Sequence, residues 1–300
     1  MKKARKKDKK RIVLRPLSTF SLLPENSYLN KDASLYISEN LSFLATRIIE
    51  SESYYELEWI KAEEVSLMSS LIISSHPEYG KMHLFPARWP FLVVDEDQDL
   101  SKINELKELH NFLKEEIMTQ FKSSTNTNSW EELPPIITER NYSFNKNIRL
   151  NPEYQLYLFN KIDINDDLMI RGLLHLLKSA MLKCLSRSFI DTACLEIYVS
   201  LESTLQIILS KLKDDGMVNP SNKDASDYLL EAFDEPYRLA AYYEEFYKDR
   251  IKTVHPKNRY GISKFVPLYV DDLYMLYNDL LRNYEFLITS KANCYLEYYE

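Results

Sequence analysis

The sequence predicts a mainly α-helical protein, with an all-helical bundle in its C-terminal half and a mixed, mostly helical α+β region before it. Three observations predict this fold class. The 300 residues contain only four glycines but many Leu, Glu, Lys and Tyr residues, most of which favour helices. Apolar residues recur at helical spacing through much of residues 151–300. A polar stretch at 123–150, which contains two adjacent prolines, separates the two halves.

Charge is distributed unevenly along the chain. Residues 1–16 hold nine Lys or Arg and one Asp, so this segment carries a net charge of +8. The formal net charge of the whole chain is −7, which leaves −15 on the other 284 residues. A block of like charge predicts a basic, disordered arm, with contact to phosphates or to an acidic partner as the alternative. The acidic body is unlike a protein that binds nucleic acid regardless of sequence.

The N-terminal domain is expected to span residues 17–122, followed by a linker at 123–150. Helical periodicity or amphipathic patterning predicts most of its elements, and Pro90 precedes one short apolar run. The expected elements are helices at 35–49, 62–74 and 100–122 and a buried strand at 91–94.

The C-terminal bundle is expected to span residues 151–300. Gly216 stands where a helix commonly ends in a left-handed glycine, and Pro256 must stop the helix before it. His175 lies among leucines and is expected to be a satisfied residue of the bundle. The expected helices cover 167–185, 190–212, 225–233, 237–254 and 268–289.

Several classes of site are excluded by residue counts and spacing. The four glycines are far apart, so the chain has no dinucleotide-binding fingerprint, P-loop or kinase glycine-rich loop. The acids at 163–167 resemble the start of a calcium loop, but Leu168 replaces the required glycine, so helix capping explains them better. His76 and His83 are seven residues apart around Pro77 and Gly80, which indicates a surface loop. No metal and no cofactor are therefore expected.

The cysteine content and hydropathy indicate the compartment. Three cysteines, with no CxxC pair, form neither a disulfide framework nor a structural zinc site. No apolar run reaches the roughly 18 residues that a membrane span needs. A reducing, cytoplasmic setting without membrane association is expected.

One predicted helix carries a charge on its apolar face. In the segment 237–254, Tyr243, Phe246 and Val254 share one stripe with Leu239, and Arg250 occupies the remaining position of that stripe. A buried guanidinium without a partner is very costly. Arg250 is therefore expected to pair with Glu202 on the helix at 190–212, to reach water, or to line a cleft.

A histidine follows five residues after Arg250. His255 precedes Pro256, so it is expected just past the last helical turn, near unpaired carbonyl groups and the negative end of the helix dipole. A histidine that caps a helix end is the structural interpretation. A histidine that titrates near neutral pH beside a fixed guanidinium is the functional one.

On these residues, the C-terminal half resembles the HEPN family. The match is Arg250-Ile-Lys-Thr-Val-His255, which fits the family's Arg-x4–6-His motif, and the segment 189–212 is similar to the family's long helix, with Glu202 as its acidic residue. The resemblance covers about residues 151–300 and implies a HEPN-like helical bundle. Many members are metal-independent ribonucleases of toxin–antitoxin or anti-phage defence systems that act as homodimers.

The resemblance implies roles for individual residues. His255 would act as general base or acid toward the RNA 2′-OH, and Arg250 would hold the phosphate, with Glu202 in support. Lys257 and Arg259 would extend the phosphate site or remain exposed loop charges. Ile251 follows the arginine, where active members often carry a polar residue, and Pro256 replaces a frequent glycine after the histidine. The alternative function is a non-catalytic helical interaction or regulatory module, since other family members bind nucleotides or act as non-catalytic partners.

Overall fold

The chain is mainly α-helical with a mixed N-terminal region, as the sequence predicts, and the strands of that region form an antiparallel sheet. The structure is a computed structural model, in which the chain forms two compact units. We call them the sheet unit (Met1–Leu67 and Pro86–Ile148) and the helical unit (Met68–Phe85 and Arg149–Glu300). The structure describes residues 10–19, 26–38, 41–49, 60–75, 84–86, 92–94, 98–124, 150–185, 189–234, 241–246 and 270–299.

The sheet has six described strands in the order β2-β3-β4-β1-β5, and β6 also pairs with β1. The pairs β1–β4, β1–β6, β2–β3 and β3–β4 are antiparallel, and Val13 of β1 lies opposite Thr46 of β4 on one side and Val93 of β6 on the other. The strands are β1 Lys10–Thr19, β2 Asn26–Tyr28, β3 Ala33–Ile37, β4 Ser42–Ile49, β5 Leu84–Pro86 and β6 Leu92–Val94.

The described helices include those predicted at 62–74, 100–122, 167–185, 190–212, 225–233 and 268–289, with ends that move by a few residues. The predicted strand at 91–94 is also confirmed, as β6. The helices are α1 Ala62–Ser74, α2 Ile103–Ser124, α3 Pro152–Lys161, α4 Asp167–Leu185, α5 Ile190–Asp214, α6 Asn222–Phe233, α7 Val270–Thr289 and α8 Leu296–Tyr299.

The prediction of a disordered arm at 1–16 is wrong for residues 10–16, which lie in β1. Residues 1–9 are outside the described residues. Within β1, Ile12, Val13 and Leu14 are almost fully buried, so this strand has no solvent face at its centre. The apolar run at 12–14 is buried on both faces of the sheet, as in a central strand. The many charged residues around this run dominate the composition of residues 1–16, so a count of charges does not reveal the strand.

The helix predicted at 35–49 is also wrong, because this segment forms β3 and β4. Its apolar residues fit the alternation of a strand as well as a helical stripe, so periodicity alone does not separate the two. Pairing of β4 with β1 decides in favour of the strand. At the connection, Ser38 Oγ donates to the carbonyl of Leu41 at 2.7 Å and accepts from the Leu41 N–H at 3.2 Å.

One face of the sheet packs against α2. Alternate residues of β1 and β4 point to this face and meet the buried stripe of α2, so the core of the sheet unit lies between sheet and helix. Its fully buried members are Ile12, Leu14, Phe43, Ala45, Leu100, Leu106, Leu109 and Leu113.

The opposite face of β1 carries a buried ion pair with the first turn of α1. Arg15 Nε donates to both carboxylate oxygens of Glu64, at 2.8 and 2.9 Å. Thr46 Oγ1 and the backbone N–H of Lys61 each donate to the same carboxylate at 2.9 Å. Glu64 is completely buried, so these donors replace the water that the charge has lost.

The helical unit includes Met68–Phe85, which the sequence predicts to be part of the N-terminal domain. Three contacts explain this difference. Gln155 of α3 donates to Ser70 Oγ at 2.9 Å, the Tyr299 hydroxyl donates to the carbonyl of Ser74 at 2.6 Å, and Ser75 forms an antiparallel bridge with Leu150. The start of the bundle at Arg149 agrees with the predicted boundary to within two residues. Of the predicted linker, residues 125–149 are outside the described residues.

Local signals set the ends of the helices. The Asp166 carboxylate accepts from the N–H groups of Leu168 and Met169 at 3.0 Å and so caps α4, as the sequence predicts. At the end of α5, Gly216 has φ +96 and its N–H donates to the carbonyl of Lys213. The next N–H, of Met217, reaches the Leu212 carbonyl, which completes a Schellman motif.

The Arg15–Glu64 pair gives a stability prediction. Replacement of Arg15 by Met leaves the fully buried Glu64 charge without this cation, and we expect a loss of about 3–5 kcal/mol in the free energy of unfolding. The double variant Arg15→Met/Glu64→Gln removes both charges and should recover much of that loss. Urea denaturation followed by circular dichroism measures both. A loss below about 1 kcal/mol for Arg15→Met, as for a surface pair, would contradict the prediction.

Candidate functional site

Most of the predicted site residues are outside the described residues. These are Arg250, His255, Lys257 and Arg259, and their roles stay predictions. Glu202 lies in α5, is half-buried, and accepts a hydrogen bond from Gln206 Nε2 at 3.0 Å. The structure therefore places one member of the predicted set and does not test its pairing with Arg250.

One face of α5 is a buried apolar stripe, and Glu202 stands at its edge. All seven members of the stripe are buried, and Glu202 is next to one of them in sequence. The carboxylate thus lies on the helix that supplies much of the core of the helical unit. The buried members are Cys194, Ile197, Tyr198, Leu201, Leu205, Ile208 and Leu212.

The segment that leads to the motif is described at 241–246. Tyr243 is buried, as the predicted stripe requires, and its hydroxyl donates to Thr204 Oγ1 of α5 at 3.1 Å. Thr204 Oγ1 in turn donates to the Leu201 carbonyl at 2.7 Å. Burial raises the pKa of Tyr243, so its hydroxyl keeps its proton at neutral pH and serves as a structural donor.

Helix α6 holds the start of this segment through Ser226. The N–H of Tyr243 donates to Ser226 Oγ at 3.1 Å, and Ser226 Oγ donates to the Glu244 carboxylate at 2.9 Å. Tyr242 is buried as well, and its ring meets those of Tyr243 and Phe246 edge to face. The chain that enters the motif is therefore fixed against α5 by one hydroxyl and against α6 by another.

A close approach of α4, α5 and α7 lies beside this segment. A Cβ atom at Gly172 of α4 would be 2.1 Å from the Tyr284 hydroxyl of α7 and 2.8 Å from Ser203 Cβ of α5. The Tyr284 hydroxyl lies 3.0 Å from Ser200 Oγ and donates to the Ser200 carbonyl at 3.0 Å. Position 172 must be glycine for these three helices to pack this closely.

The described residues show no metal centre. No group of three or more His, Cys, Asp or Glu side chains among them could hold a metal ion. Asp163 accepts from the backbone and side chain of Asn165, so the acids at 163–167 serve turns and caps. His76 and His83 are outside the described residues. His175, expected to be satisfied within the bundle, lies 2.5 Å from Glu196 through its Nδ1.

Two cysteine side chains are described, and neither is disposed to react. Cys194 and Cys294 are buried free thiols. Burial, and to a lesser degree the nearby charge of Asp191, raises the pKa of Cys194 to about 12. Burial also raises the pKa of Cys294. The thiolate is the nucleophilic form, so neither group supports cysteine-based catalysis at neutral pH.

Helix α5 also passes a length and hydropathy test for a membrane span, alone among the described helices. The apolar stretch of α5 that meets these criteria is 18 residues long, and 56% of it is buried inside the protein. The core helix of a helical bundle meets the same test, and the buried stripe of α5 is such a core face.

The contact at Gly172 gives the second prediction. Helix propensity alone would make Gly172→Ala stabilising by about 1 kcal/mol, but the new methyl group overlaps Tyr284 and Ser203. We expect overpacking to dominate, with a net loss of about 1–3 kcal/mol in the free energy of unfolding. In a Tyr284→Phe background the nearest overlap is absent, so Gly172→Ala should cost less there. Additive effects in this double-mutant cycle, measured by urea denaturation, would rule out the contact.

The buried thiol gives the third prediction. In a Cys184→Ala/Cys294→Ala protein, Cys194 should stay unlabelled by a thiol-specific disulfide reagent at mildly alkaline pH, because it is buried and protonated. Unfolding in urea should expose it and give one labelled thiol per chain, which is the internal control. Rapid labelling of the folded protein would show that Cys194 is reached by solvent.

Comparison with known proteins gives no match. No family model matches the chain, no curated protein matches it, and no solved structure matches it. The resemblance to the HEPN family rests on the motif at Arg250 and His255 and on the helix at 189–212.

Proposed function

We propose that this protein is an HEPN-like RNA-binding protein that cleaves RNA without a metal ion. One observation carries the proposal: the segment leading to the Arg-x4-His motif is held against α5 by a buried tyrosine. Tyr243 contacts Thr204 of α5, and at helical periodicity positions 243 and 250 share one face. This supports the interpretation that Arg250 replaces an apolar residue on the face toward the bundle, where a charge needs a partner or a ligand.

The residue types suit phosphodiester cleavage. A histidine titrates near neutral pH, so His255 can accept the proton of the 2′-OH or protonate the leaving oxygen. A guanidinium binds two phosphate oxygens at once and stays charged, so Arg250 can stabilise the charge that develops on the phosphate. In the family that this chain resembles, two protomers bring such pairs together, and the proposal therefore includes a homodimer.

Charge limits where RNA can bind. Apart from residues 1–16, the chain carries a net charge of −15, which repels a polyanion at long range. Binding must therefore depend on local cations, and Lys257 and Arg259 follow directly on the motif. We expect RNA affinity to fall steeply as salt concentration rises, since phosphate contacts release counterions.

The test is an RNA cleavage assay in the presence of EDTA. The wild-type protein should cleave single-stranded RNA, and His255→Ala should lower the rate by about 10²–10⁴-fold because a general acid–base is lost. The matched control is His110→Gln, a histidine on α2 of the sheet unit, which should leave the rate unchanged. Arg250→Ala should lower the rate with the same folded circular-dichroism spectrum, and molar mass in solution should show a dimer.

The opposite result has a defined meaning. If the wild-type protein neither binds nor cleaves RNA and His255→Ala behaves like it, the proposal fails and the non-catalytic interaction module takes its place. Ile251 and Pro256, which depart from the pattern of active family members, are the residues that favour this second function. If the protein binds RNA without cleaving it, the proposed RNA partner is supported and the proposed ribonuclease activity is contradicted.

A further inference from the structure

A histidine–glutamate pair joins α4 to α5 outside the proposed motif. Nδ1 of His175 lies 2.5 Å from Oε2 of Glu196. Both side chains stay partly exposed, at 18% for His175 and 22% for Glu196, so solvent reaches the pair. A carboxylate on one ring nitrogen fixes the orientation of the imidazole and directs the other nitrogen away from it.

The second ring nitrogen of His175 has no partner among the residues that the structure describes. Across the described residues, Nε2 of His175 has no hydrogen-bond partner, since the contact to Glu196 is the one this side chain makes. Once the ring is protonated, both nitrogens donate, and Nε2 can then bind an anion while Nδ1 stays on Glu196.

Two cations lie on the same face of α4 as His175. Arg171 precedes it by four residues and Lys178 follows by three, and such positions are neighbours on a helix surface, with Cβ atoms about 5–6 Å apart. Neither cation has an ion-pair or hydrogen-bond partner within the described part of the chain. Lys183, farther along α4, does not belong with these two cations, because its ammonium group is already engaged. It lies over the Tyr274 ring, 4.6 Å from the ring centroid.

We propose that Arg171, His175 and Lys178, which we call the α4 cationic row, bind a phosphate group. Arg171 can engage two phosphate oxygens, His175 Nε2 and Lys178 supply further donors, and Glu196 is a positioning residue for the imidazole. Asp167, one turn before Arg171, is the acid next along this face and limits the row at its N-terminal end. The choice of an RNA phosphodiester as the source of the phosphate rests on the proposed function, and free phosphate is the other source.

The experiment follows the ring signals of the five histidines by NMR during two titrations, one with inorganic phosphate and one with a short single-stranded RNA. His175→Asn assigns the His175 signals, and sodium chloride at equal ionic strength is the control for salt. His175 should shift with phosphate and with RNA but not with chloride. Glu196→Ala should weaken the phosphate-induced shift while circular dichroism stays unchanged, because the ring loses its fixed orientation.

Salt dependence tests the contribution of Lys178 separately. Lys178→Ala should lower the slope of log affinity for RNA against log salt by about 0.7, the value for one phosphate contact on a single strand. Lys213→Ala, which removes an exposed lysine from the last turn of α5, is the matched control and should leave the slope unchanged.

The outcomes separate this inference from the proposed function. If RNA shifts the His255 signals and leaves those of His175 unmoved, the proposed function stands and the α4 cationic row is not a phosphate site. If phosphate shifts His175 while the protein neither binds nor cleaves RNA, the row stands as a site for free phosphate and the proposed function fails. If neither phosphate nor RNA moves His175, the inference is overturned.

Discussion

The hydroxyl group of Tyr284 occupies the space that a side chain at position 172 would need, and the packing of the helical unit depends on this contact. Glycine on α4 and small residues on α5 let three helices approach closely. The hydroxyl is then buried and bonds to Ser200, so the close approach leaves no orphaned polar group there. Burial raises the pKa of Tyr284, which keeps the hydroxyl neutral.

Helix α5 is the element that links these contacts to the segment at 241–246, which precedes the motif in the chain. Its buried face fills the core, while Thr204, on the same helix, receives the hydroxyl of Tyr243 from the segment that precedes the motif. Glu196 and Glu202 lie at the edge of the buried face, where a carboxylate can meet a partner and still contact water. Side chains that carry charge are thus held by a helix that core packing keeps in place.

Buried charge is handled differently in the sheet unit. Glu64 is fully buried, and its carboxylate accepts hydrogen bonds from Arg15 of β1, from Thr46 of β4 and from the backbone N–H of Lys61, just before α1. No such carboxylate could be recognised in the sequence as the partner of Arg15, because 49 residues separate them. The interpretation of residues 1–16 as a charged arm misses this pair, since the buried run that places Arg15 in a strand is short.

The sequence by itself determined α4, α5, α6 and α7 of the C-terminal half from helical periodicity, and local signals marked the start of α4 and the end of α5. Gly216 at the end of α5 and Asp166 before α4 act through contacts within a few residues, which a sequence shows directly. Helix α3 was missed although Asn151 caps it and Pro152 opens it, so its signal was present in the sequence. The Arg250–His255 motif is also a feature of the sequence, and its role stays a prediction.

Only the tertiary structure decided the rest, because it depends on contacts between residues far apart in the chain. Strand pairing with β1 made 35–49 a pair of strands, and contacts from Gln155 and Tyr299 joined the end of α1 to the helical unit. The pairing of His175 with Glu196 is of the same kind: the sequence shows a histidine among leucines, and the packing of α4 on α5 supplies the carboxylate. Local patterns specify helices and their ends, whereas partners for strands and charges are chosen by long-range packing.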